Sequence, residues 1–390
     1  MRQLKPGILS VGAINWDSRL FDELIPLPEG TSYNSYVIKG SEKTALIDTV
    51  DPSKTADLLH NLIEAGIDKI DYIIANHGEQ DHSGSIPDML SMYPEAKVVT
   101  NEKCKGMLID LLCLDDSNFE IVADRGQISL GNKTLEFHFT PWVHWPETMC
   151  SYLKEDKILF SCDFFGSHLA TSDLYATENV YEPAKRYFAE IMMPFRPAIR
   201  KNLERIAELD IEIIAPSHGP IHKNPAFIIN AYKQWVSDEV KNEVVVAFVS
   251  MHGSTSKMVD YFCNALMERG ITVKRFNLTG IDIGKVAISL VDAATVIIGS
   301  SQVLAGPHPT AAHAAFLVNA LRPKTKFASI IGSMGWGGKM VETLAGLLGN
   351  LKAEIIEPVI SKGYPKEDTF EKLDELADKI LAKHKEIGIA

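Results

Sequence analysis

The chain has 390 residues, more than one ordinary hydrophobic core accommodates, so two domains are expected. Hydrophobic residues make up 46% of it and the formal net charge is −12, which indicates a water-soluble globular protein and argues against nucleic acid or an anionic membrane as a partner. The sequence has no secretory signal pattern and no long apolar run, so we expect a cytoplasmic protein without a membrane partner.

Five cysteines are spread along the chain and never form a Cys-x-x-Cys pair: Cys104, Cys113, Cys150, Cys162 and Cys263. Their odd number and their spacing argue against a disulfide framework. We therefore expect reduced thiols and no built-in rubredoxin or iron–sulfur module.

In the first part of the chain, short β-rich runs alternate with turns and with two helical patterns. The earliest runs predict a mostly antiparallel sheet, and helical periodicity is found at residues 52–65 and at about 183–209. Helix and strand signals alternate through residues 98–99, 107–112 and 121–122. The predicted strands are residues 8–13, 32–40, 44–50, 71–76, 135–140, 158–161 and 211–215.

The segment Ala75–Gly84, ANHGEQDHSG, follows the predicted strand 71–76 and carries two histidines and two carboxylates. In an extended chain, residues at spacing two point to one side, so His77, Glu79 and Asp81 are expected to converge, with His82 turning onto the same cluster. The alternative is a polar loop with a satisfied histidine. Crowded carboxylates repel each other unless a cation lies between them, so the metal site is the favoured interpretation.

Three later strand ends carry further candidate ligands. His144 lies in PWVHWPETM, Asp163 follows ILFSC, and His218 follows IEIIAPS. Taken singly, each has a structural explanation, as a packed core histidine or as a turn or cap residue. Their recurrence after apolar strands predicts that they meet at one edge of a layered sheet.

The second part of the chain has a different pattern. Residues 236–243 form a polar linker, after which strands and helices alternate as in a doubly wound parallel sheet. Hydroxyls and backbone N–H groups at the turn before the first helix, SMHGSTSK (250–257), can hold a phosphate, although such a turn is more often only an N-cap. Glycine-rich stretches at 299–309 and 332–338 can flank a flat ring, with Trp336 as a stacking candidate. The predicted strands are 244–249, 272–276, 295–299 and 327–331, and the predicted helices are 255–269, 286–290, 311–321 and a pair flanking 354–356.

Four motifs occur in a fixed order: HxExDH, a histidine in HWP, an aspartate after LFSC and a histidine in PSHG. Together with the second half that follows them, they make the whole chain resemble the flavodiiron proteins (A-type flavoproteins). The resemblance implies an α/β and α+β protein: a metallo-β-lactamase-like αββα sandwich in residues 1–243, which holds two irons, and a flavodoxin-like FMN domain in residues 244–390. It assigns His77, Glu79 and His144 to one iron and Asp81, His82 and His218 to the other, with Asp163 bridging.

Glu79 stands where hydrolytic members of that fold usually have a histidine. A carboxylate in place of an imidazole makes the site harder and more anionic, which favours iron over zinc. His168, close after Asp163, is a candidate for a supporting contact. The resemblance to flavodoxin implies FMN contacts in three loops. The middle loop departs from the SPT-type sequence that is commoner in the family. The residues expected to contact FMN are Ser250, Met251, His252, Gly253, Ser254, Thr255, Ser301, Gln302, Val303, Leu304, Ala305, Gly306, Ser333, Met334, Gly335, Trp336, Gly337 and Gly338.

The resemblance implies a diiron and FMN oxidoreductase that reduces dioxygen to water, nitric oxide to nitrous oxide, or both. The electrons are expected from an external donor, rubredoxin or a reduced deazaflavin coenzyme, and a head-to-tail homodimer or a dimer of dimers is expected. Two alternatives are a two-metal hydrolase of the metallo-β-lactamase superfamily and a redox carrier with a degraded metal site. Glu79, the flavodoxin-like half and the full set of seven ligands argue against them.

Overall fold

The fold is that of a computed structural model, which describes all 390 residues. The chain divides into two compact units, one of Met1–Phe188 with Phe195–Val236 and one of Ser237–Ala390 with Ala189–Pro194. None of its helices combines the length and the apolar character that crossing a membrane requires.

The first unit contains two main sheets and two short hairpin-like pairs of strands. Its strands are β1 (Arg2–Lys5), β2 (Ile8–Ser10), β3 (Ala13–Asn15), β4 (Leu20–Phe21), β5 (Ile25–Pro26), β6 (Thr31–Tyr33), β7 (Tyr36–Lys39), β8 (Thr44–Ile47), β9 (Tyr72–Ile74), β10 (Lys97–Thr100), β11 (Phe119–Ile121), β12 (Gln127–Ser129), β13 (Thr134–Phe139), β14 (Met149–Leu153), β15 (Ile158–Cys162) and β16 (Ile213–Pro216). Its helices are α1 (Thr55–Glu64), α2 (Gln80–Ser83), α3 (Ile86–Met92), α4 (Glu102–Leu112), α5 (Tyr181–Tyr187), α6 (Arg196–Ile206) and α7 (Pro225–Val236).

The first sheet has the order β1-β2-β7-β8-β9-β10-β11 and the second the order β12-β13-β14-β15-β16. Pairing is antiparallel from β1 to β8, as expected, and becomes parallel from β8 to β11, where helices connect successive strands. Both sheets contribute to one buried core, with Ile47 and Ile74 from the first and Phe137 and Phe160 from the second. A second core on the outer side of the first sheet includes Leu58 and Leu108 from its helices.

The stretch expected as one long helix at 183–209 is interrupted. Helix α5 ends at Tyr187, a π-helical turn covers Phe188–Met192, and a 3₁₀ turn covers Met193–Phe195 before α6 begins. Proline lacks a backbone N–H and clashes with the preceding turn of an α-helix. Pro194 and Pro197 therefore explain why a regular helix cannot run through this point, although the apolar periodicity continues on both sides.

The second unit is a doubly wound sheet in the order β18-β17-β19-β21, with β22 and β23 both beside β21 at the edge. These neighbours are all parallel, and the order 2-1-3-4-5 is the flavodoxin-like one. The alternation expected from the sequence is confirmed, whereas the short strands β20, β22 and β23 were not predicted. The elements are β17 (Lys241–Phe248), α8 (Ser254–Glu268), β18 (Thr272–Asn277), α9 (Gly284–Leu290), β19 (Ala293–Val303), β20 (Gly306–Pro307), α10 (Pro309–Leu321), β21 (Phe327–Met334), α11 (Met340–Leu347), β22 (Glu354–Ile355), β23 (Val359–Lys362) and α12 (Glu367–Glu386).

A buried histidine links helix α12 to this sheet and is expected to make the stability of the unit depend on pH. The His384 ring is 2.7 Å from Thr295 Oγ1 through Nε2 and 2.7 Å from Asn242 Oδ1 through Nδ1. Burial lowers the pKa of His384 from 6.5 to about 4. A histidine with a lowered folded-state pKa contributes stability above pH 6.5 that is lost as the pH falls towards 4, because the unfolded chain then binds the proton first.

We therefore expect the His384→Gln variant to lose less stability than the wild type on going from pH 7 to pH 5, by on the order of 1 kcal/mol. The measurement is the free energy of unfolding of the FMN-loaded protein in urea at both pH values. His60, whose helix lies in the first unit, provides the matched control as His60→Gln. Equal pH dependence of the wild type and of both variants would contradict the expectation.

Candidate metal centre

Four strand ends bring the predicted metal-binding residues together. His77 follows β9 of the first sheet, His144 lies in the connection from β13 to β14, and Asp163 and His218 follow β15 and β16 of the second. Strands β15 and β16 are parallel neighbours, so their carboxyl ends lie at the same edge. The expected convergence is thus found, with ligands from both sheets.

The first motif does not stay extended as expected. Glu79 has an extended backbone, but Gln80–Ser83 forms the helical turn α2, so Asp81 and His82 are presented by a helix. The turn is held by Ser83, whose N–H donates to Glu79 O at 2.9 Å and whose hydroxyl donates to Gly78 O at 2.9 Å. Gly84 closes it against Pro52, since a Cβ there would lie 2.4 Å from Gln80 O and 2.6 Å from Pro52 Cγ.

The first cluster consists of His77, Glu79, His144 and one oxygen of Asp163. Glu79 Oε2 is 3.0 Å from His77 Nε2 and 3.2 Å from His144 Nε2. Asp163 Oδ2 is 3.4 Å from each of these two nitrogens. Four donor atoms thus surround one point at distances suited to a shared cation.

The second cluster consists of Asp81, His82, His218 and the other oxygen of Asp163. Asp163 Oδ1 is 2.9 Å from His82 Nε2 and 3.5 Å from His218 Nε2. Asp81 Oδ2 is 3.1 Å from His218 Nε2, and Asp81 Oδ1 is 3.3 Å from His82 Nε2. Since its two oxygens face different clusters, Asp163 has the geometry of a bridging carboxylate.

The donor atoms fit a pair of cations. Both oxygens of Asp81 and of Asp163, and Nε2 of His82, are buried and have no hydrogen-bond partner beyond the other donors of the two clusters. A buried carboxylate without a partner is costly unless a cation pairs with it. Four neutral histidines and three carboxylates carry a charge of about −3, close to the +4 of two divalent ions.

Without a cation, this pocket holds protons. Burial lowers the pKa values of His82 and His144, but the neighbouring carboxylates, Asp81 and then Asp163 for His82 and Asp163 and then Glu79 for His144, outweigh burial and raise each pKa to about 9. Burial raises the pKa of Asp163, yet the histidines around it, His82 first, bring it well below its usual range. A metal ion that binds here displaces these protons, so the metal affinity falls as the pH falls.

Glu147 orients one of these ligands and was missed by the sequence analysis. Its Oε1 accepts hydrogen bonds from His77 Nδ1 at 2.7 Å and from the Gly78 N–H at 3.0 Å, while Asn101 Nδ2 donates to Glu147 O at 2.6 Å. Such a contact fixes the tautomer that leaves Nε2 free for a metal. His218 is held in the same way, because its Nδ1 donates to Ser32 O at 2.8 Å. The only sequence signal for Glu147 was its position three residues after His144, in the motif HWPETM.

The Glu147→Ala variant is expected to bind metal about 10–100-fold more weakly, because His77 loses its orienting acceptor. Metal content after dialysis against graded concentrations of a chelator measures the change. Glu147→Gln keeps an acceptor oxygen and is expected to recover most of the affinity. Wild-type retention by Glu147→Ala would mean that His77 is oriented by packing alone.

Asp48, also unforeseen, supports the base of the site. It accepts from the Asn76 N–H at 2.8 Å, from Asn76 Nδ2 at 2.9 Å and from Ser217 Oγ at 3.3 Å. The residues before His77 and before His218 are therefore tied to one carboxylate. His168 packs against His218 with ring centroids 4.9 Å apart, and its Nδ1 is 2.9 Å from Thr31 Oγ1.

In the second unit, the three loops assigned to a cofactor meet around Thr255. Its hydroxyl oxygen is 3.1 Å from Ser301 Oγ and 2.9 Å from Ser333 Oγ, and the Met251 N–H donates to Ser301 Oγ at 3.2 Å. Gly253 has a φ of 90°, which turns the chain into helix α8, and the Ser256 N–H in its first turn donates to Ser250 Oγ at 3.1 Å. The N–H groups of Ser254 and Thr255 at the start of the helix can face an anion.

The middle loop is a hairpin, in contrast to the glycine-rich loop that was expected. Strand β19 continues to Val303 and turns at Leu304 and Ala305, both with positive φ, into β20. Gln302 Nε2 donates to Trp336 O, which joins this hairpin to the third loop. Trp336 is 63% exposed, so its ring has an open face.

Comparison with known proteins agrees with this architecture. Residues 31–219 match the family described as ODP family beta lactamase. The nitric oxide reductase of Moorella thermoacetica is 34% identical, with 97% of each chain covered, and the coenzyme F420H2 oxidase of Methanothermobacter marburgensis is 32% identical, with 89% of each covered.

Two solved structures share the fold over almost the entire length. The rubredoxin oxygen:oxidoreductase of Desulfovibrio gigas has a TM-score of 0.94 at 30% identity, and the flavodiiron protein of Giardia intestinalis has a TM-score of 0.89 at 30% identity. In both cases the match covers 98% of each chain. Relatives at 30% identity or above match both units of the chain, which therefore belongs to the flavodiiron proteins, the type A flavoproteins.

Proposed function

We propose that this flavodiiron oxidoreductase reduces dioxygen to water, nitric oxide to nitrous oxide, or both, at a diiron centre supplied with electrons through FMN. The reactions consume four electrons and four protons per dioxygen, or two electrons and two protons per pair of nitric oxide molecules. The observation that carries the proposal is the pair of buried donor clusters that share Asp163. Relatives named for oxygen, nitric oxide and F420H2 chemistry support it.

In this proposal, residues 1–243 form the diiron domain and residues 244–390 the FMN domain. His77, Glu79 and His144 hold one iron, Asp81, His82 and His218 hold the other, and Asp163 bridges them. When bound, the two irons supply coordination positions and electrons for a small oxidant. Support comes from the unpartnered buried oxygens of Asp81 and Asp163, which two cations would satisfy.

The protein itself selects the ion and limits access by water. Glu79, with a side chain only 12% exposed, adds a hard anionic donor that favours iron over zinc. His144 lies at the edge of the site between rings, with centroids 6.3 Å from Trp145 and 6.2 Å from Phe195. Burial and the charge of Asp163 raise the pKa of Tyr187, so this phenol stays protonated beside the centre.

The FMN phosphate is proposed to bind at the N-terminus of α8, through Ser250 to Thr255. The ring is proposed to lie between the Ser301–Gly306 hairpin and the Ser333–Gly338 loop, with Trp336 against it. The hydroxyls of Ser301 and Ser333, brought together by Thr255, support this assignment because they order both loops before a ligand arrives.

The electron donor is proposed to be a separate protein such as rubredoxin, or a reduced deazaflavin coenzyme, in the cytoplasm. We further propose a head-to-tail homodimer or a dimer of dimers, in which each flavin faces the irons of the partner. Exposed apolar side chains beside both sites support it: Leu304 is 89% exposed next to the flavin loops, and Trp142 is 49% exposed beside His144.

The test is the consumption of oxygen and of nitric oxide, side by side, by anaerobically purified, iron-loaded protein with excess reduced rubredoxin or reduced deazaflavin coenzyme. Turnover with either oxidant supports the proposal, and the faster one identifies the physiological oxidant. Zinc-loaded protein is the control and is expected to be inactive. Hydrolysis of a thioester or lactone by the zinc form, with no oxidant turnover by the iron form, would instead favour the hydrolase.

A further inference from the structure

Cys162 lies inside the wall of the metal centre, although it is not among the seven assigned ligands. It is buried, and its Sγ lies within 4.8 Å of one donor atom of His82 and one of Asp163. In a regular strand, neighbouring side chains point to opposite faces. The positive φ of 51° at Cys162 and the register shift between Phe160 and Cys162 interrupt that alternation, so the thiol and the bridging carboxylate approach the same ligand.

The other two donors of this group are available for a cation. His82 is 2% exposed and Asp163 is 1% exposed, and beyond the other donors of the two clusters neither His82 Nε2 nor either Asp163 oxygen has a hydrogen-bond partner. The thiol is therefore accompanied by an imidazole nitrogen that can bind a cation and by a carboxylate whose buried negative charge requires one. Sulfur, nitrogen and oxygen donors together form the kind of set that proteins use for Zn²⁺.

We propose that Cys162, His82 and Asp163 form a site for a thiophilic divalent cation, Zn²⁺ above all, which overlaps the position of the second iron. Around a tetrahedral zinc, donor atoms are separated by roughly 3.3–3.8 Å. The three donors lie within 4.8 Å of one another, so they reach this spacing with small side-chain movements. The thiol proton passes to solvent as the sulfur–zinc bond forms, and no electron is exchanged.

This inference rests on the proposed ligand set and adds a donor that the set does not contain. The consequence is a difference between the two metal positions. Each position has a hard carboxylate of its own, Glu79 in the first and Asp81 in the second, but only the second has a soft donor within reach. Zinc is therefore expected to displace iron from the second position first.

The experiment uses the full-length protein with bound FMN, stripped of metal by a chelator and reloaded with two equivalents of Zn²⁺. X-ray absorption at the zinc edge is expected to reveal a sulfur neighbour at about 2.3 Å in the wild type. In Cys162→Ser and Cys162→Ala only nitrogen and oxygen neighbours are expected, and the affinity of the second position for zinc is expected to fall at least about tenfold. Cys150→Ser, which removes another buried thiol of the same sheet, should retain the sulfur signal.

Two outcomes overturn the inference: no sulfur neighbour in wild-type protein that binds zinc, or a sulfur neighbour that persists in both Cys162 variants. Either leaves the proposed function intact, because oxidant turnover by the iron-loaded protein is measured separately. Wild-type protein that binds neither zinc nor iron would overturn both this inference and the proposed function. FMN content and thermal melting of each variant verify that it is folded.

Discussion

The Asp163→Asn variant is expected to lose oxidant turnover by at least about a thousandfold and to retain at most one iron per chain. Asp163 faces both clusters: one oxygen lies 3.4 Å from His77 Nε2 and the other 2.9 Å from His82 Nε2. An asparagine has one oxygen and no charge, so it cannot serve two cations. Removing one negative charge also leaves the repulsion between the two positive ions less compensated.

The measurements are iron content, FMN content and turnover of oxygen and nitric oxide. FMN content is expected to stay at the wild-type level, because the flavin loops belong to the other unit of the chain. Asp173→Asn, an exposed aspartate ten residues further on, is the matched control and should behave as the wild type. An Asp163→Asn protein with two irons and normal turnover would exclude the bridging role.

The Glu79→His variant is expected to change which metal the protein prefers. Replacing the carboxylate with an imidazole reduces the charge of the site from about −3 to about −2 and makes it softer. When refolded with equal concentrations of Fe²⁺ and Zn²⁺, the variant is expected to increase its zinc-to-iron ratio about tenfold or more, with a corresponding loss of oxidant turnover.

Two further variants separate charge from ligand type. Glu79→Gln removes the charge without adding a nitrogen ligand, so it should lose iron without gaining zinc. Glu79→Asp keeps the charge on a shorter side chain and is expected to keep the preference for iron at reduced occupancy. A Glu79→His protein that still selects iron would show that selectivity arises elsewhere, for instance from Asp81.

The strand ends that carry the metal-binding residues were predictable because each follows an apolar run that a buried strand requires. The local geometry between them was not. Two-residue spacing suggested an extended segment, yet Gln80–Ser83 turns into a helix, because Ser83 can satisfy the backbone of Gly78 and Glu79. A helix of four residues covers little more than one turn, so the sequence shows no helical periodicity of apolar residues there.

Residues that act through tertiary contacts were invisible to the sequence analysis for another reason. Glu147 reaches His77 from 70 positions away, and Asp48, which also binds Asn76, reaches Ser217 across 169 positions. Such partners have no local pattern, since only the folded chain brings them near each other. In the second unit the alternation of strands and helices was sufficient to predict the sheet, but not the hairpin at Leu304, whose turn lacks the usual glycine or asparagine.

The proposed metal ligands lie at the ends of strands in two different sheets, so bound ions would act as cross-links between the two sheets. Chelation should therefore loosen the edge of the sandwich well beyond the ligands, and faster amide hydrogen exchange in β9, β15 and β16 would reveal it. In a cell starved of iron, the protein would then bind flavin but lack the stabilising metal ions, and it would be more susceptible to proteolysis near the ends of β9, β15 and β16.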